Sequence, residues 1–130
     1  MHVYHLNSDQ KENMIAALIA ENFLNEERFA VSFARGKFRI KHWGRIKIKI
    51  MLKKHGVNEA CIRSAILSID ENEYKSTLKK ILIKKTGSIK GDRRKKFAGA
   101  LSYAVGKGFE SDFVIDELNV ILGEEKENEN

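Results

Sequence analysis

The run Arg45–Leu52 reads RIKIKIML, and whether it is strand or helix decides the fold. Ile46, Ile48 and Ile50 alternate with Lys47 and Lys49, and β-branched residues at period two are the pattern of a strand. Wound as a helix, the same isoleucines scatter round much of the circumference. The rest of the chain holds no second run able to pair with this one, and an isolated strand leaves its backbone groups unsatisfied, so the expectation is a helix buried on more than one side.

Outward from this run the signals are helical. His42-Trp43-Gly44 marks a turn before it. Upstream, Asn25 offers an N-cap for a helix over Arg28–Lys37, with Phe29, Ala30 and Phe33 on one inward face. Gly36 to Gly44 reads as a loosened basic connection that carries Phe38, Ile40 and Trp43. Downstream, Lys53-Lys54-His55 followed by Gly56 is a helix stop, with cations at the negative end of the dipole. Asn58 then caps a helix whose inward face is Cys61, Ile62, Ala65, Ile66 and Ile69.

The same succession recurs. Tyr74–Lys85 turns Leu78, Ile81 and Leu82 inward, Thr86–Gly91 is a loop, and Asp92 caps a helix to about Val105 that buries Phe97, Leu101 and Ala104. After a turn at Gly106-Lys107-Gly108, a last helix opens near Ser111. It buries Phe113, Val114, Leu118, Ile121 and Leu122 and stops at Gly123. Displaced by 52 residues, Gly56-Val57 falls on Gly108-Phe109, Ile62 on Val114 and Ile66 on Leu118. Repeats of this length built from helices form arrays whose neighbours bury each other's faces. Ahead of both copies, Asn7-Ser8-Asp9 caps an amphipathic helix with Met14, Ile15, Leu18, Ile19 and Phe23, and Leu6–Leu18 parallels only the last helix of a copy. The expected fold is all-α, with tandem three-helix, homeodomain-like repeats in an elongated array. Its divisions are 1–24, the last helix of an incomplete first repeat; 25–70 and 71–123, two full repeats; and 124–130, a disordered acidic tail.

Charge is unevenly spread. The 130 residues carry a net charge of +6. Between Arg35 and His55 stand nine Lys or Arg residues and no acid. From Glu110 onward the chain is acidic. A basic middle and an acidic end favour oriented binding to an anionic partner. Two clusters are the candidates for partner or phosphate binding. The first is Arg35, Lys37, Arg39, Lys41, Arg45, Lys47, Lys49, Lys53 and Lys54, with His42 and Trp43 beside it. The second is Arg93-Arg94-Lys95-Lys96, whose cations at a helix N-terminus oppose the dipole.

Other chemistries lack their motifs. Gly87-Ser88-Ile89-Lys90-Gly91 has neither the spacing nor the Lys-Ser/Thr pair of a phosphate loop. No histidine has a nucleophile partner in a recognisable arrangement. His2 and His5 could share one helical turn, but no further ligand completes a metal site. The expectation is a non-enzyme without cofactor or metal. No run approaches the roughly 18 apolar residues of a membrane span, and no secretory signal is present. Cys61 is alone, which excludes an internal disulfide and fits a reducing cytoplasm; its apolar neighbours make it a small core residue.

Asn25-Glu26-Glu27-Arg28-Phe29-Ala30, Gly44-Arg45-Ile46, Leu52, Gly56-Val57, Ile62 and Ile66 together resemble the second repeat of the RecX family of bacterial recombination regulators. Tyr74–Leu122 is similar to that family's third repeat. The resemblance implies a helix at Arg45–Leu52, three repeats where this chain has two and the end of another, and the RecA filament as partner. RecX proteins lie in the groove of the RecA filament on single-stranded DNA. There they bridge protomers, destabilise or cap the filament, and lower its ATPase, strand-exchange and LexA-cleavage activities. By that resemblance the chain is a monomeric, cytoplasmic regulator whose basic stripe meets RecA, DNA phosphates or both. The competing reading is a module that binds duplex or single-stranded DNA through a basic three-helix unit.

Overall fold

The computed structural model describes residues 7–128. The histidine pair His2 and His5 lies outside them, as does the very end of the expected acidic tail. The order is α1 (Ser8–Lys41), α2 (Arg45–Lys54), α3 (Glu59–Leu67), α4 (Glu71–Ser88), α5 (Arg93–Gly106) and α6 (Ser111–Asn128). No strand occurs among the described residues. Helices α1, α2 and α3 pack on one another, as do α4, α5 and α6. The fold is therefore all-α, made of two three-helix units in tandem. No described helix is long and apolar enough to cross a membrane.

Helix α2 answers the question posed by RIKIKIML. Its turns satisfy the backbone internally, starting with the Ile48 N–H donated to the Gly44 carbonyl at 3.2 Å. Burial is confined to one face, through Ile48 and Leu52, four residues apart. Ile46 and Ile50 are 44% and 51% exposed, so the expectation of burial on more than one side is corrected.

Helix α1 corrects the expected break at Asn25. It is one helix of 34 residues. Asn7 and Gln10 cap its start reciprocally, at 2.8 and 3.1 Å. Beyond them no proline interrupts the hydrogen-bond ladder, and Gly36 alone costs only about 1 kcal/mol in a helix interior. The stop comes at His42, which adopts the left-handed conformation with φ 56°. There the His42 and Trp43 N–H groups return to the Phe38 and Lys37 carbonyls at 3.0 and 3.2 Å. The buried face is Ala30, Ala34 and Phe38, so Phe38 is core rather than connection. Phe29, expected in the core, is 47% exposed. Met14, Ile15, Leu18 and Ile19 are all more than half exposed.

Two further boundaries differ. Helix α4 runs on through Thr86, whose buried hydroxyl donates to the Leu82 carbonyl at 2.9 Å instead of opening a loop. Helix α6 passes Gly123 and ends at Asn128.

The internal repeat is visible in the hydrogen bonds. His55, Gly56 and Val57 donate to Met51, Lys53 and Leu52 at 3.1, 3.0 and 3.1 Å; Lys107, Gly108 and Phe109 donate to Tyr103, Val105 and Ala104 at the same three distances. Each bond in the second set is the first displaced by the same interval. Gly56 and Gly108 both hold positive φ, 79° and 100°, where a side chain would be strained. Each unit also ties its first helix to the turn before its third. Glu26 accepts from the Asn58 backbone at 2.7 Å in the first, and the Tyr74 hydroxyl donates to Glu110 in the second.

Candidate partner-binding surface

The two units meet at their turns. The Gly44 N–H donates to the Lys107 carbonyl at 2.8 Å and the Ile46 N–H to Gly108 at 3.0 Å. Phe38 of the first unit and Phe109 of the second flank Tyr74, with ring centroids 5.6 and 5.2 Å away. Over the Tyr74 ring, at 3.9 Å, lies the guanidinium of Arg45. It forks to Glu110 at 3.0 Å and to Glu71, while the Arg45 N–H donates to the Tyr74 hydroxyl at 3.0 Å. Burial by itself would lower the Arg45 pKa, but the hydrogen bonds and charges of Glu110 and Glu71 raise it. Burial and the bond to Glu110 push the Tyr74 phenol well above its ordinary value.

This geometry redistributes the basic stripe. Arg45 is spent on the junction, its side chain only 15% exposed; it positions the units and is not free for a phosphate. Arg39 is half exposed but bridges to Glu73 at 3.2 Å, again across the junction. Lys37 and Lys47 sit over Trp43, 5.0 and 4.5 Å from its ring. Phe33 meets Trp43 edge-on at 6.4 Å, and His55 closes on Phe33 at 5.5 Å and Phe29 at 5.9 Å. Arg35, Lys41, Lys49, Lys53 and Lys54 are exposed, with Lys53 loosely paired to Glu59 at 3.9 Å. The first unit therefore presents a half-exposed aromatic patch with lysines around it.

The second cluster stands at the start of α5. Arg93, Arg94 and Lys95 are exposed and Lys96 is half-buried. The conflict with the helix dipole is eased by Asp92, whose carboxylate accepts the Lys95 N–H at 3.0 Å. Arg93 and Arg94 border a hollow with Phe97, Ala98 and Asn119.

A third basic feature was absent from the candidates drawn from sequence. A groove of about 530 Å³ lies along the second unit, with His42 contributed by the first; it is lined by His42, Thr77, Lys80, Ile81, Lys84, Lys85, Ser88, Tyr103 and Lys107. Lys85 and Lys107 both hold their ammonium groups near the Tyr103 ring, at 4.6 and 5.7 Å. The α4 contributors were legible: Thr77, Lys80, Ile81, Lys84, Lys85 and Ser88 recur at steps of three and one, one face of a helix. His42 and Lys107 were not, because Lys107 comes beside α4 only through the packing of α5 on it, and His42 only through the docking of the first unit. Among the described residues no group of three or more His, Cys, Asp or Glu side chains could hold a metal.

Comparison with known proteins finds similar chains. Residues 25–66 match the RecX second three-helix domain. Regulatory protein RecX of Clostridium tetani is 30% identical over 114 residues, covering 85% of this chain and 52% of that protein. Regulatory protein RecX of Prosthecochloris aestuarii is 26% identical over 113 residues, covering 85% of this chain and 72% of that protein. The chain thus spans about half the length of the first relative. No solved structure matches it. With one match confined to the first unit and the other two running across both, the chain is similar to RecX regulatory proteins over both of its units.

Proposed function

We propose that the protein binds the RecA filament in its helical groove and inhibits ATP hydrolysis, strand exchange and LexA cleavage there, as a regulator without catalysis of its own. The observation that carries this is the junction of the units. Arg45, Tyr74, Glu110 and the paired glycine turns fix two three-helix units against each other, so their binding faces move as one body. For a ligand that repeats along a filament, a second contact made by a rigid body is effectively intramolecular and adds avidity. The family's name as regulatory proteins in two relatives supports the same reading. The lysines around Trp43, together with Arg35, Lys41, Lys49, Lys53 and Lys54, are the contact surface for RecA in this proposal.

The test is RecA assembled on single-stranded DNA, with ATP hydrolysis followed as the protein is added. Hydrolysis should fall with protein concentration and filaments should retain the protein on sedimentation. Unchanged hydrolysis at a several-fold excess, with no protein in the pellet, sinks the proposal.

A further inference from the structure

We propose that the groove formed by α4 and the end of α5 binds single-stranded nucleic acid, taking one nucleotide with its phosphates on Lys80, Lys84, Lys85 and Lys107 and its base against Tyr103. The inference deepens the regulator reading, since it gives the protein its own contact to the strand that a RecA filament encloses. It stands on the groove alone.

The groove's residues come from three separate segments. Helix α4 supplies three lysines and the apolar Ile81, the turn after α5 supplies Lys107, and the turn after α1 supplies His42. No aspartate or glutamate is among the lining residues. Four ammonium groups in one concavity repel each other, and low-dielectric walls focus their field, so an anion is attracted there. The placement is held by the fold. The Lys107 carbonyl accepts the Gly44 N–H across the junction, and His42 reaches the groove from a left-handed backbone that non-glycine residues seldom adopt.

The shape selects among anions. A volume of about 530 Å³ falls in the range of small-ligand pockets, roughly 300–1,000 Å³, and suits one nucleotide. A duplex offers only a convex backbone, its bases paired and stacked inside. A single strand can splay one base onto an aromatic ring, and Tyr103 is 41% exposed. The Thr77 hydroxyl adds a donor to the lining, whereas that of Ser88 donates to the Lys85 carbonyl at 2.7 Å. An acidic peptide would engage the lysines and leave Ile81 and Tyr103 without a role.

The experiment is fluorescence anisotropy of a labelled oligothymidylate of about 15 nucleotides, near the upper end of single-strand site sizes, with the full chain and without RecA. Lys80→Glu/Lys84→Glu should weaken binding at least about tenfold, and should flatten the log–log salt dependence by about 0.7 for each phosphate no longer neutralised. Tyr103→Leu should weaken it by about five- to a hundredfold, the usual worth of one base stacked on an aromatic ring, while Tyr103→Phe stays near wild type. Circular dichroism confirms that the variants remain helical, and Lys80→Gln/Lys84→Gln repeats the test without reversed charge. Equal binding by wild type and lysine variants overturns the proposal, as does equally tight binding of a duplex. Displacement by polyglutamate as effective as by unlabelled oligothymidylate, with Tyr103→Leu silent, assigns the groove to acidic peptide and also overturns it. A protein that binds the strand through the groove yet leaves RecA hydrolysis untouched loses the regulator reading and keeps this one; the reverse result separates them the other way.

Discussion

Gly44 and Gly108 face each other across the junction so closely that neither leaves room for a side chain. A Cβ on Gly44 would lie 2.2 Å from the Gly108 carbonyl carbon and 2.3 Å from its oxygen; a Cβ on Gly108 would lie 2.4 Å from the Lys47 Cβ. Backbone atoms cannot swing aside as a lysine tip can. The contact between the units is therefore a main-chain contact, and its two glycines are structural requirements of the pairing.

Gly44→Ala should cost about 1–3 kcal/mol, the usual penalty for overpacking, with urea midpoints as the readout. Gly36→Ala is the contrast. Nothing lies within 4 Å of its would-be Cβ, so removing a helix-interior glycine should stabilise by about 0.5–1 kcal/mol.

Arg45→Ala should destabilise by about 2 kcal/mol, because Glu110, with a side chain only 23% exposed, loses a charged hydrogen-bond partner. Arg45→Lys should recover little of it, since an ammonium cannot fork to Glu110 and Glu71 while stacking on Tyr74. A double-mutant cycle of Arg45→Ala with Glu110→Ala should return a coupling of about 0.5–3 kcal/mol; a value near zero removes Arg45 from the junction.

Tyr74 makes the fold sensitive to alkali. Its folded pKa is raised by burial and by Glu110, against an unfolded value of about 10. The folded state thus holds its proton more firmly, and that stability is complete below about pH 9 and declines progressively as pH rises above 10 toward the folded pKa. The slope reaches at most about 1.4 kcal/mol per pH unit for one proton. Cys61, whose thiol is pushed up by burial, adds a decline of the same sign from about pH 8.5. Urea midpoints between pH 8 and 11 should fall for the wild type and fall less steeply for Tyr74→Phe.

The exposed part of the stripe should separate binding from stability. Lys41→Glu, Lys49→Glu and Lys53→Glu together should weaken retention on RecA filaments while each shifts folding stability by no more than about 0.5 kcal/mol. Thermal melts and co-sedimentation measure the two. Arg45→Glu, although from the same run of cations, should disrupt folding first.

Much of this architecture is local and was open to reading. The caps at Asn7, Asn58, Asp70 and Asp92 all accept the N–H three residues on, at 2.8–3.0 Å, because a short polar side chain at that position has a fixed geometric use. The glycine stops at Gly56 and Gly108 needed positive φ, and the interval between them revealed the repeat. What local pattern could not decide was whether a possible cap is used. Asn25 has the right chemistry, yet the ladder of α1 runs straight through it, and propensity yields where continuous packing on α3 is available. Arg45–Leu52 carried a strand's alternation and folds as helix because Ile48 and Leu52 alone find a core.

The basic residues show the same division more sharply. Sequence determined that the chain is all-helical, repeated and cationic in its middle. It also determined, through α4's periodicity, that three lysines share a face. Only the tertiary structure decided which cations are free. Arg45 and Arg39 differ from Lys41 and Lys49 in nothing that spacing records. They are occupied because the second unit docks Glu110, Glu71 and Glu73 beside them, 26 to 65 residues away along the chain. That docking also brings His42 to the groove that α4 and α5 form with Lys107. Charge is a property of the residue, but its availability is a property of what the fold sets opposite it.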